Sequence, residues 1–447
     1  MSSTTSQVSV DFRPWVALPV EASRRILPAE RAKRKCPIDN IRGSTKCRLR
    51  ARKLGSTLRT ARKGDHMKFG SRQTILGATG ILMVCLVGVA MLSGQAAQEP
   101  KPQMAEELFK NVQILKGIPV DEFMDTMGMI SAALGMNCLD CHTGDSDQSW
   151  ERFAADTALK RTSRRMLLMV NALNKDNFAG TRSVTCWTCH RGDLRPKVVP
   201  NLAVQYSAPV EDPNEIDILP AVSGGPSADQ VFDRYIQALG GTQRLANLKS
   251  FSAKGTYVGF DTHHTKIPVE IFAKAPNQRS MIVHGAFADR VTTYDGRAGW
   301  VAAIEKPLPL LPLTGGNLDG VKIEAMLAFP AQVKQAFSQW RVGASAIDDH
   351  EVRILQGTNP RQPPINLYFD ESGLLVRMLR FADTPIGRVP TQIDYSDYRE
   401  VSGVKMPFRW ISTWTDGQAT IELTEVQANV PIDAARLARP APARKPQ

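Results

Sequence analysis

Cys138-Leu-Asp-Cys141-His142 and Cys186-Trp-Thr-Cys189-His190 repeat one short pattern, C-x-x-C-H, at two places in the chain. Two thiols separated by two residues reach the two vinyl groups of one porphyrin and form thioethers, and the His that follows is then held under the iron. The repeat is the attachment pattern of covalent haem. It predicts two haem c (heme c) groups, tethered by Cys138, Cys141, Cys186 and Cys189, with His142 and His190 as axial ligands of the iron. A four-cysteine zinc site separates its pairs by about 15–20 residues, whereas 44 residues lie between Cys141 and Cys186. Two disulfides suit an oxidising compartment, but neither rival explains a His after both pairs.

A second axial ligand is needed on each iron, and Met raises the reduction potential relative to a second His. Methionines stand upstream of both motifs. The first run is Pro119-Val-Asp-Glu-Phe-Met-Asp-Thr-Met127-Gly-Met-Ile-Ser-Ala-Ala-Leu134, with Pro at its start and apolar residues at 123, 127, 130 and 134, a helical spacing. The second is Ser163-Arg-Arg-Met166-Leu-Leu-Met-Val-Asn-Ala-Leu173, with 166, 169, 170 and 173 on one face. Helical spacing alone leaves Met124, Met127 and Met129 open before the first motif, and Met166 and Met169 before the second, since Met is also common core filler.

In Asp121-Glu-Phe-Met-Asp-Thr-Met127, Ser163-Arg-Arg-Met166 and Val184-Thr-Cys-Trp-Thr-Cys-His-Arg-Gly192, the region from about Asn111 to Pro196 resembles the cytochrome subunit of photosynthetic reaction centres. The resemblance implies a helical cytochrome fold in which Met127 partners the iron on His142 and Met166 the iron on His190. It also implies redox-protein partners in the cell envelope, a membrane-bound reaction centre or oxidoreductase complex among them. Complete members of the family carry four haems, whereas this chain has two C-x-x-C-H motifs, and no His lies between Asn174 and Thr185 to serve a further haem.

The charge of the chain is concentrated at its start. Residues 1–66 hold 16 Lys/Arg against 5 Asp/Glu, a net +11 of the formal +12, so the high pI does not mark a nucleic-acid partner. This segment has no sustained apolar period and reads as a disordered extension ahead of a better start at Met67. From Met67, Lys68 and Arg72 precede an apolar stretch, 75–92, and then small residues to Ala97, the three parts of a signal peptide. Cleavage is expected near Ala96 or Ala97, and the alternative is an uncleaved membrane anchor. Either way the remainder is expected in the periplasm or on the outer face of the inner membrane. Cys36, Cys47 and Cys85 fall in these segments.

Beyond the cytochrome region (105–196), Pro196, Pro200, Pro209, Pro213, Pro220 and Pro226 mark a linker over 197–226, and Pro-rich chain acts as a semi-rigid spacer. A domain over 227–432 opens with a Ser227-capped helix, 228–239, ending at Gly240-Gly241. Strands are expected at 256–260, 269–274, 281–284, 290–294, 366–369, 374–381, 405–414 and 419–426. Asp295-Gly296, Ser372-Gly373 and Asp416-Gly417 are placed to turn hairpins. Residues 433–447 read as a disordered tail. Ala273-Lys-Ala-Pro-Asn277, Tyr294-Asp-Gly-Arg-Ala-Gly-Trp300 and Leu367-Tyr-Phe-Asp-Glu-Ser-Gly373 are loosely similar to the half-barrel of envelope lipoprotein carriers. The fold class expected is therefore α+β multidomain: a helical dihaem cytochrome domain, then an antiparallel curved sheet with one covering helix.

The expected function is electron transfer without a catalysed conversion. The other classes kept open are an envelope protein whose sheet domain holds a lipid, quinone or other apolar ligand that the haems sense or reduce, and a dihaem peroxidase, which needs one iron with an exchangeable position. His263-His264 is a poor metal pair if it lies on a strand, because neighbours there face opposite sides. Trp300 with the Pro/Leu run from Pro307 is as compatible with a sheet core as with a pocket.

Overall fold

The structure is a computed structural model that describes residues 101–142, 150–202 and 224–444. The expected basic extension, the signal or anchor segment and most of the proline-rich spacer lie outside the described residues. Among those described, no helix is long and apolar enough to cross a membrane. Met1–Leu92 and Ser93–Gln447 separate as two units, and all that follows concerns the second.

Its first part is helical. Four-residue α1 (Ala105–Leu108) precedes α2 (Val120–Leu134), which starts behind Pro119 as the sequence suggests. Single-turn α3 (Cys138–Cys141) carries the first cysteine pair. The long α4 (Ala158–Asn177) follows, capped by Thr157, whose side chain accepts from the Lys160 N–H at 3.1 Å. Single-turn α5 (Cys186–His190) carries the second pair.

After α6 (Ala228–Ala238) and α7 (Thr242–Asn247) come thirteen antiparallel strands, with α8 (Gly315–Leu327) inserted halfway. They are β1 (Ser250–Gly259), β2 (Ile267–Lys274), β3 (Gln278–His284), β4 (Asp289–Tyr294), β5 (Gly299–Ala302), β6 (Leu311–Pro312), β7 (Gln339–Ile347), β8 (His350–Thr358), β9 (Ile365–Phe369), β10 (Leu375–Thr384), β11 (Gly387–Val401), β12 (Val404–Trp414) and β13 (Gly417–Ala428). They form one curved sheet in the order β6-β5-β4-β3-β2-β1-β13-β12-β11-β10-β9-β8-β7. Two meanders are thus joined in the middle by pairing of the first strand with the last, Tyr257 opposite Ile421.

All three expected hairpin signals sit at turns: Gly296 and Gly373 take left-handed φ of 99° and 88°, and Trp414 pairs with Gly417 across Thr415-Asp416. Three prolines lie inside strands, each where one neighbour is missing. Pro390 pairs with Phe381, but pairing of β11 with β12 begins one residue later at Thr391; Pro268 and Pro407 are placed alike. Their missing N–H therefore costs no ladder bond.

The core lies between one face of the sheet and the helices. Val231, Phe232 and Tyr235 of α6, Leu245 of α7 and Ile323 of α8 pack with Ile271, Leu367, Met378 and Ile421. The single covering helix expected is therefore joined by two others. Helix α8 opens at Gly315-Gly316 behind Thr314 and buries Ile323 and Ala325.

Two further expectations are corrected. Over 433–444 the expected disordered tail is packed: Leu437 is buried, and the Arg436 guanidinium lies 5.1 Å from the centre of the Phe272 ring. The helical part and the sheet, expected to be held apart by a spacer, touch directly through α2. Asp121 of α2 accepts from the Thr314 backbone N–H at 2.6 Å and its hydroxyl at 2.8 Å, and Asp125 accepts from the Asn317 side chain at 2.7 Å. Met129 packs with Ile386 and Val389, and the Arg182 guanidinium donates to the Thr384 carbonyl. Burial at this contact pushes the Asp125 carboxyl up to about 6. A spacer limits how far two parts can separate; apolar and hydrogen-bonded surface decides whether they meet.

Candidate functional site

Helix α2 divides two environments. Residues 121, 125, 128 and 129 recur at helical spacing on the face against the sheet, while Phe123, Met124, Met127, Ile130 and Leu134 occupy the opposite face and line a cleft. The same cleft is lined by Cys138, Cys141 and His142, and it measures about 1300 Å³ including space open to solvent. Its aromatic wall is a chain of rings: Phe123 to Phe109 at 4.9 Å, Phe109 to Trp150 at 6.0 Å, Trp150 to Phe153 at 5.4 Å and Phe153 to His142 at 4.9 Å.

The turn α3 is closed by its own polar residues. Asn137 Oδ1 accepts from the Leu139 and Asp140 N–H groups at 2.9 and 3.2 Å, and Asp140 Oδ2 accepts from the Asn137 N–H at 2.8 Å. This reciprocal cap holds a single helical turn that could not stand alone. Positions i and i+3 of such a turn share one side, so Cys138 and Cys141 face a common partner. At the second motif Thr185 and Thr188 form a similar closure, the Thr185 N–H donating to Thr188 Oγ1 at 3.0 Å. No disulfide joins any of the four motif cysteines, and burial pushes the Cys138, Cys141 and Cys186 thiols above their ordinary range.

Each motif histidine has one ring nitrogen fixed. His142 Nδ1 lies 3.0 Å from the Phe153 carbonyl oxygen, and His190 Nδ1 lies 3.0 Å from the Asp193 carbonyl oxygen. A carbonyl only accepts, so Nδ1 carries the proton in both, and the Nε2 lone pair is left for a metal. Burial also lowers the His142 pKa, favouring the neutral ring that coordination requires.

The structure gathers Met127 with Cys138, Cys141 and His142 in one cleft. Met124 and Met136 line it too, whereas Met129 points away into the contact with the sheet. The expected apolar face of α4 divides otherwise than the sequence suggests. Leu167, Val170 and Asn174 are buried, and Met166, Met169 and Leu173 are exposed beside them. Met166 is 36% exposed and Met169 44%, so geometry does not separate these two.

Both motifs are tied to the end of α2. The first follows it directly, and the Gly192 N–H, just after the second, donates to the Ala133 carbonyl at 2.9 Å. Gly135 makes this approach possible: it is left-handed, φ 61°, and a Cβ there would stand 2.3 Å from the Gly192 carbonyl oxygen.

Elsewhere, His263 and His264 lie in a left-handed turn after β1, with φ of 48° and 58°, and not on a strand. Trp300 is a buried residue whose Nε1 has no partner among the described residues. A cleft of about 840 Å³, counting space open to solvent and lined by Leu239, Phe251, Ile271, Tyr395 and Trp410 among others, lies between the sheet and its helices. The Arg279–Glu324 ion pair, 3.4 Å, borders it. Sequence reading missed this cleft because its wall is assembled from strands far apart in the chain.

The solved structure of a LolA superfamily protein from Nitrosomonas europaea is 11% identical and covers 46% of this chain and 96% of its own, with a TM-score of 0.31, too low to support any inference. The photosynthetic reaction center cytochrome c subunit of Thermochromatium tepidum is 38% identical over 106 residues, 23% of this chain and 25% of that protein. The subunit of Rubrivivax gelatinosus is 35% identical over 100 residues, 21% of this chain and 25% of its own. The chain thus spans about a quarter of the length of these relatives. Residues 86–214, the region that holds both C-x-x-C-H motifs and the two helices before them, match the family of the photosynthetic reaction centre cytochrome c subunit.

Proposed function

We propose that this chain is an envelope c-type cytochrome that binds two haems covalently and passes electrons between redox partners on the periplasmic side of a membrane. The observation that carries the reading is the pair of histidines, each following two cysteines in a capped turn and each held by a backbone carbonyl so that Nε2 is available. In this reading Cys138 with Cys141 and Cys186 with Cys189 are the tethers, His142 and His190 the proximal ligands, and Met127 and Met166 the distal ones. Bound there, each haem would supply a one-electron ferric/ferrous couple. The chain supplies the rest: α2 orients the first distal ligand, the ring wall from Phe109 to Phe153 keeps water from that site, and apolar burial with a thioether ligand raises the potential.

Ligand challenge tests the carrier reading against a peroxidase. On the oxidised holoprotein, cyanide is expected to bind slowly or not at all to Met-capped iron; prompt binding at one site with peroxide turnover would replace the carrier by the enzyme.

A second reading rests on the largely apolar cleft between the sheet and its helices: this part holds an apolar ligand. Extraction of purified protein followed by mass spectrometry, and titration of the stripped protein with a fluorescent fatty acid, should find one bound molecule per chain. A protein that carries nothing and binds no probe would leave the sheet a scaffold.

A further inference from the structure

Three cationic side chains line the cleft beside the first C-x-x-C-H turn: Lys110, Lys160 and Arg164. Two of them are matched by a carboxylate. Lys110 Nζ lies 2.6 Å from Glu151 Oε1, and Arg164 Nη1 lies 2.7 Å from Asp156 Oδ1. Lys160 forms no ion pair among the described residues; its ammonium donates instead to the Phe153 and Ala155 carbonyls, at 2.7 Å each. Asp156, whose field reaches Lys160, is taken up by Arg164 and by the Asn111 amide at 3.0 Å. A cation bonded only to carbonyls keeps its charge uncompensated.

The Phe153 carbonyl is shared, because it accepts from His142 Nδ1 at 3.0 Å as well as from Lys160. Desolvation is the main cause of the lowered His142 pKa, and the Lys160 charge adds to it, so the ring feels that charge. A carbonyl that accepts from Nδ1–H makes the ring a stronger donor to a metal through Nε2. A charged donor on the same oxygen draws that electron density away, and its field disfavours the more oxidised metal. Both effects act in one direction. At the second motif the Asp193 carbonyl accepts from His190 Nδ1 and from no cationic side chain among the described residues; Lys197 pairs there with the Asp193 carboxylate.

We propose that Lys160 is a positioning residue that raises the reduction potential of the first haem, by sharing the Phe153 carbonyl with His142 and holding an uncompensated charge behind the ligand. The inference rests on the proposed haem at Cys138, Cys141 and His142. One electron added to ferric iron removes one positive charge near the ammonium, so Lys160 favours the ferrous form. At an effective dielectric of about 20, a unit charge about 10 Å away changes such an equilibrium roughly tenfold. Screening at a half-buried side chain reduces this to about threefold or more. The rival account is that Lys160 only ties Phe153 and Ala155 to the start of α4. The two differ in what they require: tying needs hydrogen-bond donors, whereas the proposed role needs the charge.

The test is a redox titration of the full-chain holoprotein, followed in the visible spectrum, with haems counted by intact mass. K160M and K160Q should each raise the ferric/ferrous ratio of one haem at fixed potential by about three- to tenfold, a tenfold change being about 59 mV for a one-electron couple. The other couple should stay in place. K160R, which keeps a full charge and its donors, should remain within about twofold of the native chain. The C186A/C189A chain, which retains the first pair of tethers, assigns the shifted couple. In the reduced protein the His142 Nδ1 proton resonance should move downfield in K160M, as its bond to Phe153 strengthens, with the Met-to-iron band retained. Unchanged potentials in K160M and K160Q overturn the proposal. So does a native potential in K160Q alone, which would make the donors rather than the charge matter, and so does loss of the Met-to-iron band, which would make Lys160 purely structural. Two haems with unshifted potentials refute this inference alone, whereas a native chain without covalent haem refutes the cytochrome reading and this inference with it.

Discussion

The two C-x-x-C-H regions share a local design and differ in enclosure. Around the first, α2, the rings from Phe109 to Phe153 and Leu167 close a cleft on several sides, with Met127 inside it. Each motif leaves one cysteine exposed, Cys138 in the first and Cys189 in the second, but around the second the methionines of α4 face outward. The attachment chemistry constrains only five residues, so it repeats with little change. The enclosure depends on what packs beyond them: α2 is fixed from behind by the sheet, whereas the outward side of α4 has no protein against it among the described residues.

Several substitutions would break or sharpen that contrast. The largest effect is expected from the tethers. C138A/C141A should remove one covalent haem and C186A/C189A the other, each read by intact mass; a variant that keeps both would show that its pair is not a tether. Next, M127A and M166A should each retain two haems, lose one Met-to-iron charge-transfer band and lower one potential. M166A should also open its iron to cyanide faster than M127A does, because its surroundings are exposed; the reverse order would contradict the difference in enclosure.

Smaller effects concern the wall behind the first site. Met129 is 8% exposed and packs against Ile386 and Val389. M129A should therefore cost about 2–5 kcal/mol by denaturant unfolding, with both charge-transfer bands retained; loss of a band would make Met129 a ligand. D121A removes the acceptor for the Thr314 N–H and hydroxyl and should cost about 1.5–3 kcal/mol. If stability is unchanged while α2 stays docked, the Asp121 contact is incidental, and Met129 with the Asp125–Asn317 hydrogen bond holds the wall.

The two C-x-x-C-H turns, both Met-bearing helices, the Ser227 cap and the hairpin turns were legible in the sequence, because each is set by residues close together in the chain. Strands β5, β6, β7, β8 and β11 were not. The run Gly387-Arg-Val-Pro-Thr-Gln-Ile-Asp-Tyr-Ser-Asp-Tyr-Arg-Glu-Val401 is polar with an internal Pro and reads as a loop. It becomes a strand because β10 and β12 pair with it on either side. In β8 and β9, Leu355 and Leu367 join one apolar cluster and Ile354 and Tyr368 another, so both faces are buried and no alternation appears. The contact of Asp121 with Thr314 joins residues 193 apart and has no local signature at all.

The most direct test of the central claim is the covalent haem count, from intact mass together with a pyridine haemochrome spectrum, on the chain expressed in a host that matures c-type cytochromes. Two haems per chain are predicted. No covalent haem, under conditions where a control cytochrome matures, would contradict the account and leave the cleft under the sheet as the seat of function.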